Sequence, residues 1–201
     1  MVSPSKLSLE VRHRFDQALW KSVPPPATPA STLLVTWTLE PEPVDGGMPP
    51  SVQTPFASAL CALGTVFYAG DAEAETAATQ IAEVQVRSGL RRRLLMLFRA
   101  QSESEVLPAF ESGIHDWSLN AQWLMVADPA APQQLDALTR TLYQDRQLPD
   151  PWPDGVLMIV QAGVDGDAAI CHCRNRQIDQ RFCSLLGDSA NAAGAGFQLL
   201  D

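Results

Sequence analysis

A chain of 201 residues with 46% hydrophobic side chains can bury one sizeable core, which excludes a disordered polypeptide. Fourteen Lys and Arg stand against 23 Asp and Glu, a net charge of −9. That balance excludes a surface built to neutralise phosphates, so nucleic acid is not an expected partner. No run approaches ~18 uninterrupted apolar residues, and the first residues carry charge where a leader would be apolar. No membrane partner is expected, and the expected compartment is a reduced, bacterial-type cytoplasm.

In chain order, Leu7, Val11, Phe15, Leu19 and Val23 recur every four residues, which predicts an amphipathic helix over residues 1–23. The prolines of 24–31 end it and make a linker. Residues 32–201 are expected to form a single α/β domain. Its first strand is 32–40, β-branched and apolar, followed by a Pro/Gly-rich loop. Helices are predicted over 55–69 and 71–87, divided at Gly70-Asp71, where the Asp71 side chain can cap free amides. The short apolar runs 92–100, 121–128 and 155–163 predict central strands covered on both faces. Between the last two, 132–148 carries Leu135, Leu138 and Leu142 on one helical face, so the unit is expected to be β-α-β with parallel strands. The expected fold is thus a mixed, mainly parallel sheet with helices on both faces.

The sharpest local expectation is a C-terminal antiparallel hairpin. Asp165-Gly166 lies between two strand-like runs and suits a tight turn with positive φ. Pairing from that turn sets Val160 opposite Cys171 and Met158 opposite Cys173. Both thiols then share a face and His172 takes the other.

Four cysteines in a chain of this size do not make a disulfide framework. Cys171, Cys173 and Cys183, with His172, are the candidate metal ligands, because thiolates and imidazoles suit tetrahedral zinc. Strand alternation points His172 away from the thiols, and buried small side chains are the simpler use for them. The expectation is a protein without metal or cofactor. A thiol enzyme using Cys61 or Cys183 would need a base, and His13, His115 and His172 are the histidines that could supply one.

The tail has a further pattern. Ser184, Gly187, Asp188, Asn191, Ala192, Ala193, Gly194 and Ala195 follow the spacing of a Ser-x-x-Gly-His turn entering an Ala/Gly-rich helix. With the preceding helix, strand and hairpin, this resembles the C-terminal part of the thiolase-like fold and is similar to its β-ketoacyl synthases. The resemblance covers about the last third of the chain. It implies a thiolase-like portion in which Asp188 replaces one catalytic histidine and Gln161 or Ala162 stands in for the other. A carboxylate would repel the enolate that condensation develops, so the resemblance implies a non-catalytic relative. Cys61 and Asp188 are the nearest candidates for catalytic positions. The leading expectation is an adaptor or accessory subunit that acts through a protein partner, as a homodimer or heterodimer. An acidic immunity or inhibitor protein for a toxin is the alternative, and a thiol-dependent acyl-transfer enzyme the third.

Overall fold

The computed structural model describes residues 6–13, 31–40, 48–70, 76–88, 91–110, 123–128, 134–145, 147–162 and 168–200. Its elements in chain order are strands β1 (Lys6–Arg12) and β2 (Ser31–Glu40), helix α1 (Pro50–Leu63), and strands β3 (Thr65–Gly70), β4 (Thr79–Ser88) and β5 (Arg91–Ala100). The short helix α2 (Glu103–Val106), β6 (Trp123–Ala127), helix α3 (Leu135–Arg140), β7 (Val156–Ala162), β8 (Ala168–Cys173), helix α4 (Arg176–Ala192) and β9 (Gly196–Leu200) follow. All nine strands join one sheet in the order β4-β5-β3-β6-β7-β8-β2-β1-β9.

This is an α/β protein, but the expected mainly parallel sheet is corrected. Every described strand pair is antiparallel except β1 with β9. In particular, β6 and β7 are direct antiparallel neighbours, with Leu124 opposite Val160, so no parallel crossover joins them. The strands β3, β6, β7 and β8 are buried along their whole length. Burial on both faces made them read as parallel strands. It reports the layers above and below a strand, not its direction.

Alternation divides the core. Val66, Tyr68, Leu124, Val126, Met158 and Val160 join Phe56 and Leu60 of α1 and Phe182 and Leu186 of α4 in one cluster. Phe67, Met125 and Ile159, their neighbours along the strands, join Leu138 and Leu142 in another. Edge-to-face packing of Phe56 on Phe182, with ring centroids 5.7 Å apart, ties α1 to α4.

Three further expectations are corrected. The predicted N-terminal helix is strand β1 from Lys6 to Arg12, and residues 14–30, including the expected linker, lie outside the described residues. Leu9 falls off the face that Leu7 and Val11 would make on a helix, yet all three are buried, the signature of period two. Of the two helices expected over 55–69 and 71–87, the first is α1, which stops at Leu63, and the second is strand β4. Gly64 is the reason α1 can turn straight into β3. A Cβ there would stand 2.5 Å from the Ala127 carbonyl oxygen. Val84 and Val86 are buried between the exposed Glu83, Gln85 and Arg87, again a two-residue repeat. The helix expected over 132–148 is shorter, comprising α3 and a π-turn at Thr141–Asp145.

The hairpin register is as expected. Met158 faces Cys173 and Val160 faces Cys171 in antiparallel pairing, and the thiols lie with the α1/α4 cluster. The turn itself, 163–167, lies outside the described residues.

Candidate functional site

Asn175 starts α4 by accepting a hydrogen bond from the Ile178 amide at 3.0 Å. One turn on, Asp179 and Cys183 stand four residues apart and therefore share a helical face. Both turn inward, and the Asp179 side chain is fully buried. Two other segments converge on it. His13, just past β1, is held to β9 by its amide on the Leu200 carbonyl, 3.4 Å away, and its Nε2 lies 3.0 Å from Asp179 Oδ1. Ser31, the first residue of β2, donates its hydroxyl to Asp179 Oδ2. The Cys183 thiol donates to Oδ1 at 3.6 Å. A buried carboxylate needs such donors, because burying the charge without them costs several kcal/mol, on the order of ~3–5.

Beside this cluster opens a cleft of about 290 Å3, lined by His13, Gln180, Cys183, Ser184, Phe197 and Leu199. One wall comes from α4 and another from β9. Burial, and next the Asp179 charge, push the Cys183 thiol up to about 12. Cys171 and Cys173 are pushed well above the ordinary thiol range, first by burial and then by their coupling to the neighbouring thiols and to the Asp179 carboxylate. A carboxylate and three neutral thiols thus share one buried neighbourhood.

The arrangement is not a nucleophile-and-base relay. His13 and Cys183 bond to the same carboxylate oxygen, and among the described residues no hydrogen bond joins the imidazole to Cys183 or Ser31. A thiol held near 12 is protonated at neutral pH and is a poor nucleophile.

The remaining sequence candidates fall elsewhere. Cys61 is half-buried on α1, and burial, then Glu103 and Glu105, push its thiol up to about 11. Asp188 is exposed on α4, with no hydrogen bond or ion pair to Cys61 among the described residues. The Cys171-His172-Cys173 stretch splits as alternation requires. His172 points to the face away from α4, its Nδ1 is 3.4 Å from the Thr32 hydroxyl, and its buried Nε2 has no hydrogen-bond partner among the described residues. Burial lowers His172 to about 4. His115 lies outside the described residues.

The tail is corrected too. Ser184 to Gly187, expected as a turn entering a helix, is inside α4, and Ala192, Ala193 and Gly194 are exposed rather than packed against the sheet. Sequence reasoning named His13 and Cys183 but missed Asp179 and Ser31. Asp179-x-x-x-Cys183 on a helix was the one available signal, and nothing local ties it to a residue 166 positions away.

No family model, no curated protein and no solved structure matches this chain. No helix among the described residues is long and apolar enough to cross a membrane.

Proposed function

We propose that the chain acts without catalysis, as an adaptor or accessory subunit, and that strand β9 is where it takes hold of a protein partner. The observation that carries this is the open flank of β9. The strand has a hydrogen-bonded neighbour, β1, on one side only among the described residues, and Leu199 is 47% exposed. An edge strand presents N–H and C=O groups ready to pair with another chain, and proteins normally guard such edges with bulges, charges or proline. The opposite edge, β4, has a bulge between Gln80 and Ala82 and exposes Glu83 and Arg87. In β9, GFQLL, none of these guards is present.

An extended segment with an apolar side chain every second residue suits this edge, adding a strand while one side chain reaches Phe197 and Leu199. A second copy offers the same strand, so a homodimer is one form of the complex. The high thiol pKa values at Cys61 and Cys183 support the absence of acyl-transfer chemistry. The thiolase-like kinship suggested by residues 184–195 carries none of this.

The test compares wild type with Leu199→Lys and with Leu199→Pro, whose lost amide faces away from β1 because the Leu200 carbonyl next to it bonds His13, in pull-downs from source cells and in light scattering of the pure protein. Loss of a stoichiometric partner, or of a dimer, with unchanged melting is the expected result. Equal retention by both variants rules β9 out.

A further inference from the structure

We propose that His13, Asp179 and Cys183 form a binding site for a divalent ion of the zinc class, with Ser31 positioning the carboxylate. The ligand atoms of the three side chains lie within 4.8 Å of one another. A tetrahedral zinc ion with N and O ligands near 2.0 Å and S near 2.3 Å has ligand edges of about 3.3 Å for N to O and about 3.5 Å for S to O. The corresponding separations are 3.0 Å between His13 Nε2 and Asp179 Oδ1 and 3.6 Å between Cys183 Sγ and that oxygen. Those two edges match an ion's to within a few tenths of an ångström, and the third, from His13 to Cys183, lies within 4.8 Å, so closing the shell takes a movement of the partly exposed His13 ring at most.

The donor chemistry agrees with the spacing. One imidazole, one carboxylate and one thiol make a borderline set that suits zinc better than the all-oxygen shells of calcium or magnesium. Two of the ligands stand four residues apart on one helix, the spacing that brings two side chains to a single ion, and the third comes from beyond β1. Ser31 bonds the carboxylate oxygen that faces away from the other two ligands, as outer partners of metal-bound carboxylates do. Among the described residues, His13 is the one basic side chain paired with Asp179, so the buried negative charge faces no Lys or Arg. His13 and Cys183 also line the cleft, which leaves a fourth position open to water.

Binding involves no redox change. The His13 ring moves its proton from Nε2, where it faces Asp179, to Nδ1 by exchange with solvent, which frees the Nε2 lone pair for the ion, and the Cys183 S–H bond breaks as a metal–sulfur bond forms. The thiol proton leaves to solvent. The set differs from the Cys171, Cys173 and Cys183 group suggested by sequence: Cys183 is shared, while His13 and Asp179 replace the two strand thiols.

The experiment titrates full-length protein, stripped with chelator under reducing conditions, with Co2+ and then Zn2+. One equivalent of Co2+ should produce a thiolate-to-metal charge-transfer band, and Zn2+ should displace it and raise the melting temperature. Cys183→Ala should abolish the band, Ser31→Ala should keep it while weakening affinity about tenfold, and Cys173→Ala should leave it intact. A band that survives Cys183→Ala, a band lost in Cys173→Ala, or no stoichiometric uptake would each overturn the proposal. If Cys183→Ala does not fold, His13→Gln, at a side chain 28% exposed, decides instead. A tenfold or greater loss of Zn2+ affinity supports the site, and unchanged affinity rejects it.

Discussion

Among the described residues, His172 Nδ1 lies 3.4 Å from the Thr32 hydroxyl and its buried Nε2 has no hydrogen-bond partner. Removing it from water therefore disfavours the imidazolium and lowers its pKa to about 4. Linkage turns this into a stability statement. Unfolded, the ring titrates near 6.5, so between pH 6.5 and 4 the unfolded chain binds a proton that the native chain does not. Stability is complete above that window and falls as the pH drops through it, by up to about 3 kcal/mol. Urea midpoints at pH 7 and pH 4 check this. His172→Leu should lose about 3 kcal/mol less than wild type on acidification, and equal losses in the two proteins would contradict the assignment. Alternation had already separated His172 from the thiols, so its face was legible in the sequence. Its missing partner was not, because that depends on what packs over the sheet.

At the level of elements, the end of α4 explains the Ala/Gly-rich tail. The Gly194 amide bonds to the Asn191 carbonyl at 3.0 Å, the Ala195 amide to the Ala190 carbonyl at 2.9 Å, and Gly194 has φ of 73°. These are the bonds of a helix closing on a left-handed glycine, with Ala190 and Ala195 buried together beneath it. Gly194→Ala should cost about 1 kcal/mol through the left-handed backbone alone, since nothing lies within 4 Å of the added methyl. Ala193→Leu, which a tightly packed tail would not tolerate, should change stability by less than about 0.5 kcal/mol because the site is exposed. Gly64→Ala should be the most damaging of the three, at about 1–3 kcal/mol, because its methyl meets a backbone oxygen. Thermal melts of the three variants give the ranking directly. The glycines were visible as punctuation in the sequence. Which of them needs positive φ and which needs space depends on a carbonyl of β6 that pairing alone brings near.

For the molecule as a whole, the decisive feature is the pairing of the two ends of the described chain. β1 and β9 run parallel, Leu9 beside Phe197 and Val11 beside Leu199, and extend the sheet past β2. Removing residues 196–201 should uncover the edge of β1, detach His13 from the Leu200 carbonyl and open the neighbourhood of Asp179. The truncated protein is expected to melt at lower temperature and to self-associate. Calorimetry with size-exclusion chromatography measures both, and an unchanged melt would show that β9 is only an accessory strand.

Residue order was sufficient for what depends on near neighbours. The apolar runs 92–100, 121–128 and 155–163 overlap β5, β6 and β7, and counting outward from Asp165-Gly166 gives the register in which Cys171 and Cys173 pair. Period two and period 3.6 differ within a handful of residues, and a tight turn fixes pairing for the strands it joins. Where a short stretch fits both periods, as at Leu7 and Val11, the helix reading failed because only the burial of Leu9 separates them. Strand direction, sheet order and the meeting of His13, Ser31, Asp179 and Cys183 were decided by tertiary structure. An apolar strand is buried equally well in either direction, and the His13–Asp179 contact joins residues 166 positions apart. No local preference encodes such a contact; it exists because β1, β2 and α4 are packed on one sheet.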